Sequence, residues 1–330
     1  MIIYVDLNGS SQEAAAFRDA VERTGLVDAT WRYQGADERG TLEAVSDADV
    51  IVALNVPDAM LAAARRVRWL AFWSAGLDRA LTPAVEAAIA AGVIATNASG
   101  VHGPNIAEHV LAMMLAFTRR LPSYYRAQMS RSWDRPPGDE AGGIGELTGQ
   151  TLGIVGLGRV GEALAERARA FGMRVIGIRR GAAASPNSVA AGAIGAPGDL
   201  DSVLGESDHV CIAVPLTRET THLFDERRLQ KMKRGAYLYN VARGPVVDED
   251  ALVRALMAGQ IAGAGLDVFE TEPLPASSPL WSLENVIITP HVAGRTPHYF
   301  TRAAALFAAN VVRFARSEPM TNRYDPGRGY

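Results

Sequence analysis

The chain has 330 residues, enough for about two domains and a sizeable core. It is 48% hydrophobic and 21% charged with a formal net charge of -3, a balance that argues against nucleic acid or an anionic membrane as partner. A single cysteine, Cys211, excludes an intrachain disulfide framework and a cysteine-rich metal site. It lies in the apolar run His209–Val214 and reads as a buried strand residue.

The start, Met1–Asp6, has neither the basic leader nor the long apolar core of a signal peptide and reads as a short strand. No stretch reaches the roughly 18 uninterrupted apolar residues of a membrane span, so a cytosolic protein is expected. In the first hundred residues, strands are predicted at Ile2–Asp6, Asp28–Tyr33, Asp49–Leu54, Trp69–Trp73 and Val93–Thr96. Helical patterns separate them at Gln12–Thr24, Gly40–Val45, Ala59–Arg66 and Pro83–Ala90. A long apolar helix from Pro104 to Arg120 follows, stopped by Pro122, and then a polar, Pro/Gly-rich stretch, Ser130–Gly149. Strands recur at Arg174–Ile178, His209–Val214, Ala236–Val241, Ala262–Val268 and Val286–Thr289. A last helix, Pro297–Phe314, has no strand of its own to cover, so packing on the first unit or across the gap between units is expected. The end, Ser317–Tyr330, is polar and expected to be extended. The alternation predicts an α/β protein of two doubly wound parallel sheets.

Between these halves lies Gly156-Leu157-Gly158-Arg159-Val160-Gly161, after the apolar run Thr151–Val155 and before the helical segment Glu162–Phe171. That is the strand, glycine turn and helix order that cradles a pyrophosphate: the first glycine turns the chain, the second admits phosphate, and the third packs helix on strand. About 20 residues beyond the glycines, where an acid usually holds the adenine ribose hydroxyls, the strand ends Ile178-Arg179-Arg180-Gly181 without one. Two guanidinium groups there suit a 2′-phosphate, so NADP is expected ahead of NAD, which stays possible; a solvated basic turn is the alternative.

Three further residues stand at or beyond the ends of successive strands: Arg243 in Asn240–Pro245, Glu272 in Leu266–Pro273 and His291 in Ile287–Gly294. Each alone reads as easily as a loop charge, a turn acid or a capping histidine. Together they occupy the strand edge where open α/β sheets bind ligands.

With these motifs the chain resembles the D-isomer-specific 2-hydroxyacid dehydrogenase family, of the glyoxylate/hydroxypyruvate reductase-like kind, over nearly its whole length. The matching stretches are Ser74–Asp78, Asn97–His109 with Ala107-Glu108-His109, the glycine fingerprint, Asn240–Asp248, Leu266–Pro273 and Thr289–His291. The resemblance implies a Rossmann coenzyme domain, residues 103–296, inserted into a flavodoxin-like substrate domain, residues 1–102 and 297–330. It also implies a cleft where the two meet, and a homodimer. The implied reaction moves a hydride between nicotinamide and the 2-carbon of a small 2-oxo or 2-hydroxy acid. In it His291 is the acid/base, Glu272 orients the imidazole and favours its protonated form, and Arg243 binds the substrate carboxylate and carbonyl oxygen. Backbone N–H groups of Ala75 and Gly76 complete the carboxylate site, and Leu54 and Asn55 face the substrate side chain. On the coenzyme, Asp267 takes the carboxamide, Ala242 and Val241 lie beside the nicotinamide, and Val214, Pro215 and Thr220 line the adenine and phosphate side. Trp133 and Tyr124 close the pocket from either subunit, or serve as ordinary interface packing. Glu272 stands where the similar formate dehydrogenases carry glutamine, which argues against formate. A short-form phosphoglycerate dehydrogenase and a dinucleotide-sensing module of the corepressor type are the competing identities.

Overall fold

Unbroken apolar runs such as Ile2–Val5, Val50–Ala53 and Trp69–Phe72 form strands, as parallel strands covered on both faces require. The computed structural model describes residues 1–77, 79–133, 143–180 and 193–327; Asp78, Gly181, part of the Ser130–Gly149 stretch and the last three residues lie outside them. The chain divides into two compact units, Met1–His102 with Thr296–Tyr330, and Gly103–Arg295.

The first unit alternates β1 (Ile2–Val5), α1 (Gln12–Glu22), β2 (Thr30–Tyr33), α2 (Glu38–Val45), β3 (Val50–Ala53), α3 (Asp58–Ala63), β4 (Trp69–Phe72), α4 (Pro83–Ala90) and β5 (Ile94–Thr96). The sheet is all parallel in the order β2-β1-β3-β4-β5, the flavodoxin-like arrangement. Helix starts follow from local chemistry. Ser11 accepts from the Ala14 amide at the head of α1, and Thr82 accepts from Val85 at the head of α4, with Pro83 in the first turn.

In the second unit come α5 (Gly103–Thr118), α6 (Leu121–Met129), β6 (Thr151–Val155), α7 (Arg159–Ala170), β7 (Arg174–Ile178) and β8 (Ala193–Gly195). They are followed by α8 (Leu200–Glu206), β9 (His209–Ile212), α9 (Glu226–Leu229), β10 (Tyr237–Asn240), α10 (Glu249–Met257), β11 (Gly263–Leu266) and β12 (Val286–Ile288). All strands are parallel, in the order β12-β11-β10-β9-β6-β7-β8. Counted from β6, this is the doubly wound Rossmann order extended by one strand, with its switch point between β6 and β9.

The last helix, α11 (Tyr299–Ala315), returns to the first unit and buries Ala303, Ala304, Phe307, Ala308 and Val311. Phe307 stacks on Trp69 with ring centroids 5.1 Å apart and meets Phe17 of α1 edge-on at 5.7 Å. The indole N–H of Trp69 donates to Thr96 at 2.9 Å, so this large buried side chain leaves no polar atom unpaired.

Two expectations, on Pro122 and on the strand ends, need correction. Pro122 does not simply end a helix: α5 stops at Thr118, Arg120 turns through a left-handed φ of 56°, and Pro122 sits in the first turn of α6, where its missing N–H costs nothing. The polar tail, expected to be extended, is tied to its own unit over its described part. Asn310 exchanges two hydrogen bonds with Thr321, Asn322 donates to Asn97 and Ser99, and the Tyr324 amide donates to Ala95. Strand ends are also shorter than the apolar runs: His209–Val214 pairs only to Ile212, and Ala262–Val268 only over Gly263–Leu266, so the remaining residues belong to edge loops.

At the start of β9, His209 stacks on Tyr237 and Tyr239, accepts from the Tyr239 hydroxyl at 3.0 Å and donates to Gln150 at 2.5 Å. Burial pushes its imidazole down to about 4. The native state therefore refuses a proton that the unfolded chain takes below about pH 6.5, so this contribution is complete above that pH and is lost as the pH falls towards 4. Unfolding free energy should drop by roughly 2–3 kcal/mol over that window beyond other groups' contributions. In urea melts at a series of pH values, His209→Gln should flatten that slope; an unchanged slope would assign the acid lability elsewhere. Burial likewise pushes the Cys211 thiol up to about 12, keeping it protonated at neutral pH.

Candidate active site

The carboxyl ends of the second unit's strands form one ordered edge. Following the sheet from β7 through β6, β9, β10 and β11 to β12, the loops carry in turn Arg179, the glycine fingerprint, Val214, Arg243, Asp267 with Glu272, and His291. Five strand spacings separate the ends, about 24 Å. The guanidinium end and the histidine end are thus far apart on one edge.

At the glycine turn the structure separates the three roles. Gly156 has φ 103°, and a Cβ there would lie 2.6 Å from the Ala213 backbone, so the turn after β6 nests against the loop after β9 at the switch point. A Cβ on Gly161 would strike the Gly156 carbonyl at 2.5 Å, which packs α7 against its own turn. Gly158 has nothing within 4 Å of such a Cβ. It caps α7 without a side-chain bond, leaving open space before the helix amides of Arg159, Val160 and Gly161. A pyrophosphate fits that cradle. The hydroxyl of Thr220 is committed within its own loop, donating to Pro215 at 2.7 Å and accepting from the Thr217 amide at 2.7 Å. It shapes the Val214–Thr220 loop, with Val214 half-buried and Pro215 exposed.

Arg179 and Arg180 follow β7, and the Ile178 carbonyl before them accepts from both Gly156 and Leu157. No acid stands in the strand end, but α7 brings one: Glu162 Oε1 lies 3.3 Å from Arg179 Nη1. Glu219, on the loop after β9, has its carboxyl held low chiefly by a hydrogen bond from Thr217, with the positive charge of Arg180 contributing.

The histidine end is built by buried polar anchors. Asn240, 1% exposed at the end of β10, accepts from the Ala242 amide and donates to the Arg243 carbonyl, which fixes the turn presenting Arg243. Val241 and Ala242 line the same turn, and Arg243 Nη1 donates back to the Ala242 carbonyl at 2.8 Å. Gly244 then allows the next loop to lie on this one: a Cβ there would sit 1.9 Å from the carbonyl of Phe269. Within that second loop Glu272 Oε1 accepts from the Phe269 amide at 3.2 Å, and Oε2 is 2.8 Å from His291 Nδ1. A carboxylate only accepts, so Nδ1 carries the hydrogen and Nε2 is the nitrogen presented for exchange.

His291 itself has a left-handed backbone, φ 53°. What holds it there is Asp267, 2% exposed, whose carboxylate accepts from the Thr289 hydroxyl at 2.6 Å and from the amides of Val292 and Ala293, both at 2.9 Å. Since the Thr289 hydroxyl donates to Asp267, it accepts from His109 Nε2 at 3.0 Å. Asn105, one helical turn before His109 on α5, donates to the Ala293 carbonyl at 2.8 Å. Asn105, His109, Thr289 and Gly244 were not singled out as site residues by the sequence reading. The i, i+4 spacing of Asn105 and His109 was the available signal.

In the first unit, Leu54 and Asn55 are exposed just past β3, and Ala75 and Gly76 follow β4, so these four occupy the carboxyl ends of neighbouring strands. Tyr124 lies on α6, and Trp133 beyond it is exposed. Among the described residues no group of three or more histidines, cysteines and carboxylates is placed to hold a metal, and no helix is long and apolar enough to cross a membrane.

Known proteins resemble the chain in sequence and fold. The family model for the D-isomer specific 2-hydroxyacid dehydrogenase NAD binding domain matches residues 111–293. A glyoxylate reductase of Thermofilum pendens is 39% identical over 285 residues, 84% of this chain and 81% of the relative. A D-isomer specific 2-hydroxyacid dehydrogenase from Xanthobacter autotrophicus, solved with NADPH and MES, superposes with a TM-score of 0.78 at 30% identity, covering 100% of this chain and 99% of the other. An NADPH-dependent glyoxylate/hydroxypyruvate reductase from Sinorhizobium meliloti, solved with NADP and sulfate, gives a TM-score of 0.79 at 25% identity over 100% and 99% of the two chains. The chain belongs to the D-isomer specific 2-hydroxyacid dehydrogenase family and is an NAD(P)-dependent oxidoreductase.

Proposed function

We propose that the chain reduces small 2-oxo acids, glyoxylate or hydroxypyruvate foremost, to 2-hydroxy acids, with NADPH preferred and NADH accepted. The observation that carries the reading is the His291–Glu272 pair at 2.8 Å, on the same strand edge as Arg243 and the open glycine turn. When bound, the nicotinamide supplies the hydride that reaches the 2-carbon. His291 Nε2 gives the proton that the carbonyl oxygen must gain, while Glu272 holds the opposite nitrogen and stabilises the imidazolium. Arg243 binds the carboxylate and carbonyl oxygen through its fork and meets the charge that develops on that oxygen. Asp267 serves this chemistry by holding the His291 loop. In the first unit, which we assign as the substrate domain, Leu54, Asn55, Ala75 and Gly76 are the proposed substrate contacts, the last two through backbone N–H groups.

A homodimer belongs to the same proposal. Leu121, Tyr125 and Met129 recur every four residues along α6 and are more than half exposed, as is Trp133 beyond the helix. A stripe of that kind on a surface helix suits an isologous contact with a second copy. Light scattering should give twice the chain mass, and Tyr125→Glu with Met129→Glu should halve it.

The direct test of function is oxidation of NADPH by the purified protein with glyoxylate, hydroxypyruvate and larger 2-oxo acids in turn. Turnover with the small acids is expected. Tight coenzyme binding with no turnover of any 2-oxo acid would favour a dinucleotide-sensing interaction module instead.

A further inference from the structure

The arginine that follows β7 is not presented to solvent as an open fork. Its guanidinium is tied to Glu162 at 3.3 Å, and both side chains are only about one-third exposed, at 30% and 37%. Glu162 directly follows Gly161 in the first turn of α7, so its position is set by the fingerprint itself. Arg179 is fixed equally well, because the Ile178 carbonyl is held by the Gly156 and Leu157 amides and the Arg179 amide donates to Gly195. Two rigidly placed elements thus bring opposite charges together at the ribose end of the edge. The carboxylate absent from the end of the second strand is supplied by the helix.

We propose that Glu162 is a specificity-determining residue for the coenzyme: it competes with a 2′-phosphate for Arg179 and so moderates the preference for NADPH over NADH. The proposal rests on the coenzyme reading above, in which Arg179 meets the 2′-phosphate. A phosphate arriving at Arg179 meets a guanidinium already neutralised, and approaches a fixed carboxylate at close range. Coenzyme without the phosphate asks nothing of Arg179 and leaves the pair intact. Pairs at this exposure contribute up to about 1 kcal/mol, so the expected change is about three- to fivefold.

The test compares the parent protein with Glu162→Gln, Arg179→Ala and the double variant. Calorimetry with adenosine 2′,5′-bisphosphate and with 5′-AMP gives a readout independent of turnover, and kcat/KM with NADPH and NADH follows. Glu162→Gln should tighten the bisphosphate and raise the NADPH efficiency about three- to fivefold, leave 5′-AMP and NADH within about twofold, and steepen the salt dependence of bisphosphate binding. In the Arg179→Ala background the same substitution should have a smaller effect, because only the direct repulsion between the carboxylate and the phosphate is then relieved. Melting temperatures within a few degrees of the parent would show that the fold is intact. If Arg179→Ala abolishes the preference while Glu162→Gln leaves it unchanged or weaker, the role of Glu162 is overturned and the coenzyme reading stands. If Arg179→Ala itself leaves the preference unchanged, the coenzyme reading falls and takes the proposal with it.

Discussion

Replacing His291 with alanine should lower the turnover of 2-oxo acid reduction by roughly two to four orders of magnitude, with coenzyme binding retained. The imidazole is the proton donor in the proposed reaction, and its orientation is fixed from two directions. Glu272 holds Nδ1 at 2.8 Å, and the left-handed backbone at φ 53° is held by the amides that donate to Asp267. Because alanine is disfavoured in that backbone conformation, His291→Asn is the companion variant: asparagine tolerates it better and still lacks the donor. Both should lose turnover alike. Glu272→Gln should act differently. It keeps a hydrogen-bond partner for Nδ1 but removes the charge that balances the imidazolium formed in the reaction, so turnover should fall by less than in the histidine variants. Arg243→Lys should raise KM as well as lower kcat, since a point charge cannot reproduce the fork that positions the carboxylate before and during reaction. A His291→Asn protein reducing glyoxylate at the parent rate would remove the histidine from the mechanism.

Features set by local chemistry were readable in the amino-acid order. The glycine fingerprint announces itself, because each glycine answers a separate steric demand and the flanking strand and helix confirm the context. Buried parallel strands are visible as unbroken apolar runs. Arg243, Glu272 and His291 stood out because each lies at or shortly beyond the end of such a run. Contacts made across elements were not readable. Glu162 and Arg179 are 17 residues apart and meet only because the turn folds α7 back over the end of β7. The three donors that the Asp267 carboxylate takes from the loop after β12 depend on β11 and β12 being neighbours. The helix α10 was legible too, since Asp248 caps it and Ala251, Leu252 and Leu256 form its buried face in an ordinary amphipathic pattern.

Gly244→Ala should be as damaging as a change to a reacting side chain, although Gly244 has no chemistry of its own. An added Cβ would lie 1.9 Å from the Phe269 carbonyl carbon and oxygen and 2.4 Å from the Glu270 amide. These are backbone atoms and cannot swing aside, so one of the two loops must move. Neither has slack. The loop after β10 is tied by Asn240 to the Ala242 amide and the Arg243 carbonyl, and the loop after β11 by the Phe269 amide to Glu272. Displacement therefore separates Arg243 from the Glu272–His291 pair by a fraction of an ångström or more. A shift near 1 Å costs about a hundredfold in rate, and the overpacking costs roughly 1–3 kcal/mol in stability. The control is Gly158→Ala: its backbone conformation suits any residue and nothing lies within 4 Å of the new carbon. That protein should melt like the parent but bind coenzyme weakly, because the methyl group fills the space left for the pyrophosphate. Thermal melts and kcat/KM on the two variants thus separate a glycine kept for the approach of protein backbone from one kept for the approach of ligand. Parent-like melting and kinetics in Gly244→Ala would mean that the two loops can part without disturbing the site, and that their close contact is not what sets the position of Arg243.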